Sequence, residues 1–319
     1  MTMKCVWQLL ASTMVALCLQ TSSVKAGTVD KVPKLLLVSM DGFRYDYLDL
    51  LQPSDTPNLH YVVEHGVKGK LTSVFPSFTY PNHFSIITGL YPESHSIVHN
   101  RFYDNDFRVQ DYFVLSDRRD NFDPVWYDNG AEPIYVTNRK GNGARFTASA
   151  LWPTGLGKVK QVEPDYIYDD ADAFSHINFT KMADDMVNWF TQEKHPANLG
   201  LLYFEEPDEI AHETGAASTA TLEKVKEIDK VIGHLITGLK ERQIFDEMNI
   251  ILLADHGFVN ITFEVFLEDF GLKEYDYFSG GDTYIVYNIW PNSKWFQFNT
   301  VKIIICSLKG LLMGVLYLY

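Results

Sequence analysis

The sequence predicts an α/β protein with a mainly parallel central sheet flanked by helices. Three observations predict it. Short apolar runs alternate with segments of helical periodicity along most of the chain, the pattern of repeated strand–helix units. Three of the apolar runs end on an aspartate or reach one within a few residues. Groups placed there meet ligands beyond the carboxyl ends of parallel strands. The segment 221–243 sets Leu222, Val225, Ile228, Ile232, Leu235, Ile236 and Leu239 on one helical stripe, enough to cover part of a sheet face.

Each element follows in order. KLLLVSM (34–40) predicts a buried strand. TPNLHYVVEHG (56–66) carries Thr before Pro at one end and Gly at the other, the marks of a helix start and stop. GKLTSVF (69–75) predicts a second strand, PNHFSIITG (81–89) a short helix beginning at Pro81, and AEPIYVTN (131–138) a strand. Residues 101–130, rich in Asp, Asn and aromatics, predict an irregular surface insertion. NFTKMADDMVNWFTQ (178–192) predicts a helix, LGLLYFEE (199–206) a strand, and MNIILLADHG (248–257) the last strand of the series.

The composition suits a large core: 319 residues, 46% hydrophobic. With 41 acids against 27 Lys and Arg and no basic run, the footprint of a nucleic-acid polymer binder is absent. Residues 1–26 are predicted to be a signal peptide, with Lys4, an apolar stretch and a small-residue site ending at Ala26. Its removal deletes two lysines and no acid, taking the formal charge from −14 to −16. The sequons at Asn178 and Asn260 predict glycosylation and agree with a secretory route, secreted or at the cell surface. Cys306 is then the one cysteine left, so the core and not disulfides must hold the chain. The apolar stretch 301–319 is barely long enough to span a bilayer and carries Lys302 and Lys309. It is read as an aberrant terminus in preference to a membrane anchor.

The acids at the strand ends carry the chemistry. LLLVSM runs into Asp41, LLYFEEP into Asp208 with His212 one helical turn on, and IILLA into Asp255 and His256. Asp and His supply the oxygen and nitrogen donors that suit zinc. Near a cation an alcohol side chain loses its proton more easily. Thr79, just ahead of Pro81 at a helix start, is therefore a candidate nucleophile, with a plain helix cap as the competing reading.

The motifs LLLVSMDGFRYDYL, TYPNHFSIITGLYPESHSIVHNRFYD, LYFEEPDEIAHETG and IILLADHGF resemble those of the ecto-nucleotide pyrophosphatase/phosphodiesterase family, in the same order, between about Lys34 and Phe258. The family is alkaline-phosphatase-like. The resemblance implies a phosphodiesterase catalytic domain over residues 27–300, incomplete at its C-terminus, and two zinc ions beside a threonine nucleophile. Asp41, Asp255, His256 and Thr79 match one zinc site, and Asp208 and His212 two ligands of the other. Asn100 matches a donor to the phosphoryl oxygen, Tyr80 a residue that stacks on the base, and Tyr203 a substrate-pocket residue. The implied reaction is hydrolysis of nucleotide phosphodiester or pyrophosphate bonds through a phospho-threonine intermediate. Choline-phosphate release from phospholipids is the alternative substrate class.

The family's second zinc site takes a further downstream histidine, and no histidine follows His256 in this chain. The second site is therefore expected to be incomplete, and an inactive truncated form is the competing expectation.

Overall fold

The computed structural model describes residues 32–104, 111–114, 122–141, 144–168, 177–260 and 313–318. The expected signal peptide and most of the apolar tail lie outside them.

In chain order the elements are β1 (Lys34–Met40), α1 (Tyr47–Leu50), α2 (Pro57–His65), β2 (Val67–Thr72), α3 (Thr79–Thr88), α4 (Pro92–His95), β3 (Arg101–Asp104), β4 (Asp111–Val114), α5 (Pro124–Tyr127), α6 (Ile134–Lys140), β5 (Thr147–Ala150), β6 (Tyr166–Tyr168), α7 (Phe179–Thr191), β7 (Leu199–Phe204), α8 (Asp208–Thr214), α9 (Thr219–Glu241), β8 (Met248–Leu253) and β9 (Met313–Leu318). A seven-stranded sheet runs in the order β2-β9-β8-β1-β7-β5-β6. From β8 to β6 every pairing is parallel, and β9 lies antiparallel between β8 and β2. The fold is thus the mainly parallel α/β sheet expected.

The central strands read as unbroken apolar runs because both of their faces are covered. Alternate residues serve two cores. Leu36, Val38 and Met40 of β1, with Leu202 and Phe204 of β7, pack against α2, α7 and α9. Leu37, Leu199, Leu201 and Leu253 face the other way, toward Phe84, Tyr135 and Trp152. The helical stripe read from the sequence is confirmed in α9, where Val225, Ile228, Ile232, Leu235, Ile236 and Leu239 are all buried.

Two expectations are corrected. Residues 131–138 do not form a strand: Ile134–Lys140 is helix α6, entered from Pro133. A short apolar run fits either conformation. Here Tyr135 and Val136 bury against the sheet, and the Tyr135 hydroxyl donates to the Gly157 carbonyl at 3.0 Å. The insertion at 101–130 is more regular than expected, with β3 and β4 paired antiparallel. Within the apolar tail, Met313–Leu318 is a sheet strand. Among the described residues no helix is long and apolar enough to cross a membrane.

One buried acid has a structural role. Asp229, on α9 and 1% exposed, accepts from the Leu59 amide at 2.7 Å and from Asn58 Nδ2 at 2.8 Å. The Thr56 side chain makes no capping bond, so Asp229 supplies the acceptor that the α2 terminus needs. Asp229→Ala is expected to cost about 1–3 kcal/mol, because it strands a buried amide. Urea unfolding at constant slope measures it.

Candidate metal centre and nucleophile

The site forms where β1, β7 and β8 end. Beyond β1 the Asp41 amide donates to the Phe204 carbonyl at 2.9 Å, which carries the ladder one residue further. Gly42 then turns the chain with φ +60°. Its amide donates to Asp255 Oδ1 at 3.2 Å. A Cβ at this position would lie 2.6 Å from Asp208 Oδ1. Glycine is required here both by the left-handed backbone and by the close approach of Asp208.

Beyond β8, Asp255 is 1% exposed, and its Oδ1 also accepts from the His256 amide at 2.8 Å. His256 Nδ1 lies 2.9 Å from the Gly257 carbonyl. A carbonyl only accepts, so Nδ1 carries the proton and Nε2 keeps a lone pair for a ligand. Nε2 lies 3.3 Å from Asp41 Oδ1 and 3.3 Å from Asp255 Oδ2. One ligand atom from each of Asp41, Asp255 and His256 falls within 4.8 Å of the others, and all three residues are buried. Thr79 Oγ1 lies 3.4 Å from the same His256 nitrogen.

Helix α3 begins at Thr79, two residues ahead of the expected start at Pro81, and its N-cap is Phe78. Thr79 is therefore not the cap residue. It occupies the first helical position, 7% exposed, and Pro81 fits in the first turn where no amide hydrogen is needed. Asp208 opens α8, and its Oδ2 lies 3.2 Å from His212 Nε2. The His212 side chain is 65% exposed, with its ring edge-on to Phe258.

Whether a cation fits can be judged from the oxygens. Asp41 Oδ1, Asp208 Oδ1 and Asp255 Oδ2 are buried and accept no hydrogen bond. Buried polar atoms are almost always paired, and two of these three, Asp41 Oδ1 and Asp255 Oδ2, each lie 3.3 Å from His256 Nε2, which suits a shared positive partner. The charge balance agrees. Burial first, then the Asp208 charge, pushes the Asp255 carboxyl up to about 8. Burial, then Asp255 and Asp208, raises Asp41 well above the carboxylate range. Among the described residues the basic side chains paired with these acids are the imidazoles of His83, His212 and His256, and the buried His83 is neutral. A divalent cation on this oxygen and nitrogen set removes the conflict.

The remaining expected residues divide. Asn100 Oδ1 accepts from the Tyr80 amide at 2.9 Å, which leaves its Nδ2 as the donor next to the nucleophile's peptide. Tyr80 is 5% exposed and belongs to the apolar cluster around Phe84. The hydroxyl of Tyr203, a partly exposed residue, donates to Asp41 Oδ2 at 2.5 Å. Asn178 and Asn260 are exposed. Asn178 caps α7, and Asn260 accepts from the Ala216 amide at 2.8 Å.

His83 lies directly behind the nucleophile's helix turn. It is fully buried, with Nδ1 2.7 Å from the Thr79 carbonyl and Nε2 2.8 Å from Ser39 Oγ. Burial holds its pKa down at about 3, so it is neutral. Sequence reasoning missed Ser39 and Gly42. The glycine directly after the first strand-end aspartate was the available signal.

Fold and site together define a parallel α/β protein with a candidate metal centre at its strand ends and a hydroxyl beside it. The comparisons narrow this. A family model described as type I phosphodiesterase / nucleotide pyrophosphatase matches residues 35–302. The chain belongs to that family. It is 34% identical over 238 residues to the human ectonucleotide pyrophosphatase/phosphodiesterase family member 5, covering 74% of this chain and 47% of that protein. It is 37% identical over 227 residues to a mouse bis(5'-adenosyl)-triphosphatase, covering 70% and 47%. Among solved structures, murine ectonucleotide pyrophosphatase/phosphodiesterase 5, an inactive threonine-to-alanine variant in complex with AMP, superposes with a TM-score of 0.69 at 32% identity, covering 78% of this chain and 63% of that one. The chain thus spans about half the length of these curated relatives.

Proposed function

We propose that this chain hydrolyses phosphodiester and pyrophosphate bonds of nucleotides, with Thr79 as nucleophile. The observation that carries the proposal is the position of Thr79 Oγ1, 3.4 Å from His256 Nε2, a nitrogen that lies 3.3 Å from each of Asp41 Oδ1 and Asp255 Oδ2, two buried oxygens that accept no hydrogen bond. The relatives support it: one is named for cleaving a dinucleoside triphosphate, and another was solved with AMP.

Asp41, Asp255 and His256 would hold one zinc, and Asp208 and His212 would hold a second. Zinc bound there supplies positive charge that eases deprotonation of a nearby hydroxyl and offsets charge gathering on phosphoryl oxygens. The chain's own groups do the rest. Thr79 Oγ forms a bond to phosphorus as the bond to the leaving alcohol or phosphate breaks, and water later cleaves the phospho-threonine. The positive end of the α3 dipole favours an anion at Thr79. Asn100 Nδ2 donates to a phosphoryl oxygen, a contribution worth roughly 10²–10³-fold in rate. His83 holds the Thr79 carbonyl and so fixes the nucleophile's backbone.

The test is a substrate panel with added zinc: a nitrophenyl nucleotide, a dinucleoside polyphosphate, sphingomyelin and glycerophosphocholine. Chelator-sensitive turnover of the first two is expected. Turnover of the choline esters alone would reject the nucleotide reading in favour of phospholipid headgroup release. A silent form is the second reading, favoured by the 65% exposure of the His212 side chain, which leaves a second ion weakly enclosed. Metal analysis checks it, with one tightly held zinc and a weaker second expected.

We also assign the chain to the secretory pathway as a glycoprotein, on its N-terminal leader and the exposed sequons at Asn178 and Asn260. A mobility shift on enzymatic deglycosylation after expression in secreting cells is the expected result.

A further inference from the structure

We propose that Tyr203 is a positioning residue that aims Asp41 at the cation, and that it is not a substrate contact. This rests on the metal reading of the site and is independent of the hydrolytic one. Tyr203 lies near the end of β7, in parallel register with Ser39 of β1, two residues before Asp41. Its hydroxyl donates to Asp41 Oδ2 at 2.5 Å. The other oxygen, Oδ1, is buried, accepts nothing, and lies 3.3 Å from His256 Nε2. A carboxylate tied at one oxygen has lost the broad terminal torsion that would otherwise swing its free oxygen away from the site.

The phenol is itself held. The His83 ring meets it edge-on, with centroids 5.1 Å apart and planes at 90°. His83 is pinned at both nitrogens, by the Thr79 carbonyl and by Ser39 Oγ. One packed series therefore runs from the nucleophile's backbone through two rings to the ligand carboxylate. Partners of this kind, one bond outside the ligand set, typically contribute 10–100-fold in metal affinity. A hydroxyl already engaged with Asp41 has no donor left for substrate.

The experiment compares the wild-type chain with Tyr203→Phe, which keeps the ring and removes only the hydroxyl. Zinc affinity is read by competition with a chelating dye, and site geometry by the visible bands of the cobalt-loaded protein. The expected result is about 10–100-fold weaker zinc binding and altered cobalt bands, with the melting curve in chelator matching that of the wild type. Where turnover is present, kcat should fall at limiting zinc, recover in excess zinc, and leave KM within about twofold. Wild-type affinity and unchanged bands in the variant would overturn the proposal, as would a wild-type chain that binds no metal. A wild-type chain that binds zinc yet turns over nothing would reject the proposed hydrolysis, and weaker binding by the variant would then still uphold the role of Tyr203.

Discussion

Thr79→Ala is expected to lose roughly 10³-fold or more in kcat while retaining its metal, since removal of an attacking group costs at least about 4 kcal/mol of transition-state stabilisation. The separation of the two effects follows from geometry. The candidate ligand atoms come from Asp41, Asp255 and His256, and these stay in place when the hydroxyl is cut away. Thr79 occupies the first position of its helix and is not its cap residue, so loss of its hydroxyl should leave the fold intact. Thr79→Ser keeps the oxygen and should keep measurable turnover. Rapid acid quench with a labelled substrate should trap phospho-threonine in the wild type and nothing in the alanine variant. Full turnover by Thr79→Ala would reject Thr79 as nucleophile.

The second large effect concerns pH and metal together. In the metal-stripped chain, stability is expected to fall as pH rises from about 4 to about 8. The sign follows from the raised carboxyls. Burial and neighbouring charge lift Asp255 from 3.8 to about 8, and raise Asp41 in the same direction. Between those values the folded chain holds protons that the unfolded chain has released, so raising the pH favours unfolding. Zinc reverses the preference by favouring the ionised acids, and adds stability by binding only the folded form. Melting temperature in chelator should therefore drop between pH 5 and pH 8, and the drop should shrink with zinc. Asp255→Asn should flatten the chelator profile and raise stability at pH 8, at the cost of metal binding. A flat wild-type profile in chelator would show that the acids carry no such conflict.

Much of this was legible in the sequence, for definite reasons. Strands covered on both faces must be apolar throughout, and so β1, β7 and β8 stood out, with the acids at their ends. The stripe on α9 stood out because 3.6-residue periodicity over 23 residues is hard to mistake. Strand β5, Thr-Ala-Ser-Ala, was missed because its residues are small and weakly apolar, although all four are buried. Helix α6 was misread because seven residues are too few for periodicity to separate helix from strand. Tyr80 and Tyr203 were placed by motif position alone. The burial of Tyr80 and the bond from Tyr203 to Asp41 depend on packing between segments distant in sequence, which no local pattern encodes. Gly42 had a local signal in its place directly after Asp41, but its need to be small is set by the distant Asp208.

The acids that converge at the centre are far apart along the chain: Gly42, next to Asp41, and Asp255 are 213 residues apart yet joined by a hydrogen bond. Parallel pairing of such distant segments is slow to form. A nascent chain that has folded only its first strand can offer a cation nothing more than a solitary carboxylate. Uptake of a cation by this cluster would therefore double as a maturation signal, appearing only once the outermost contributors to the cluster have found each other.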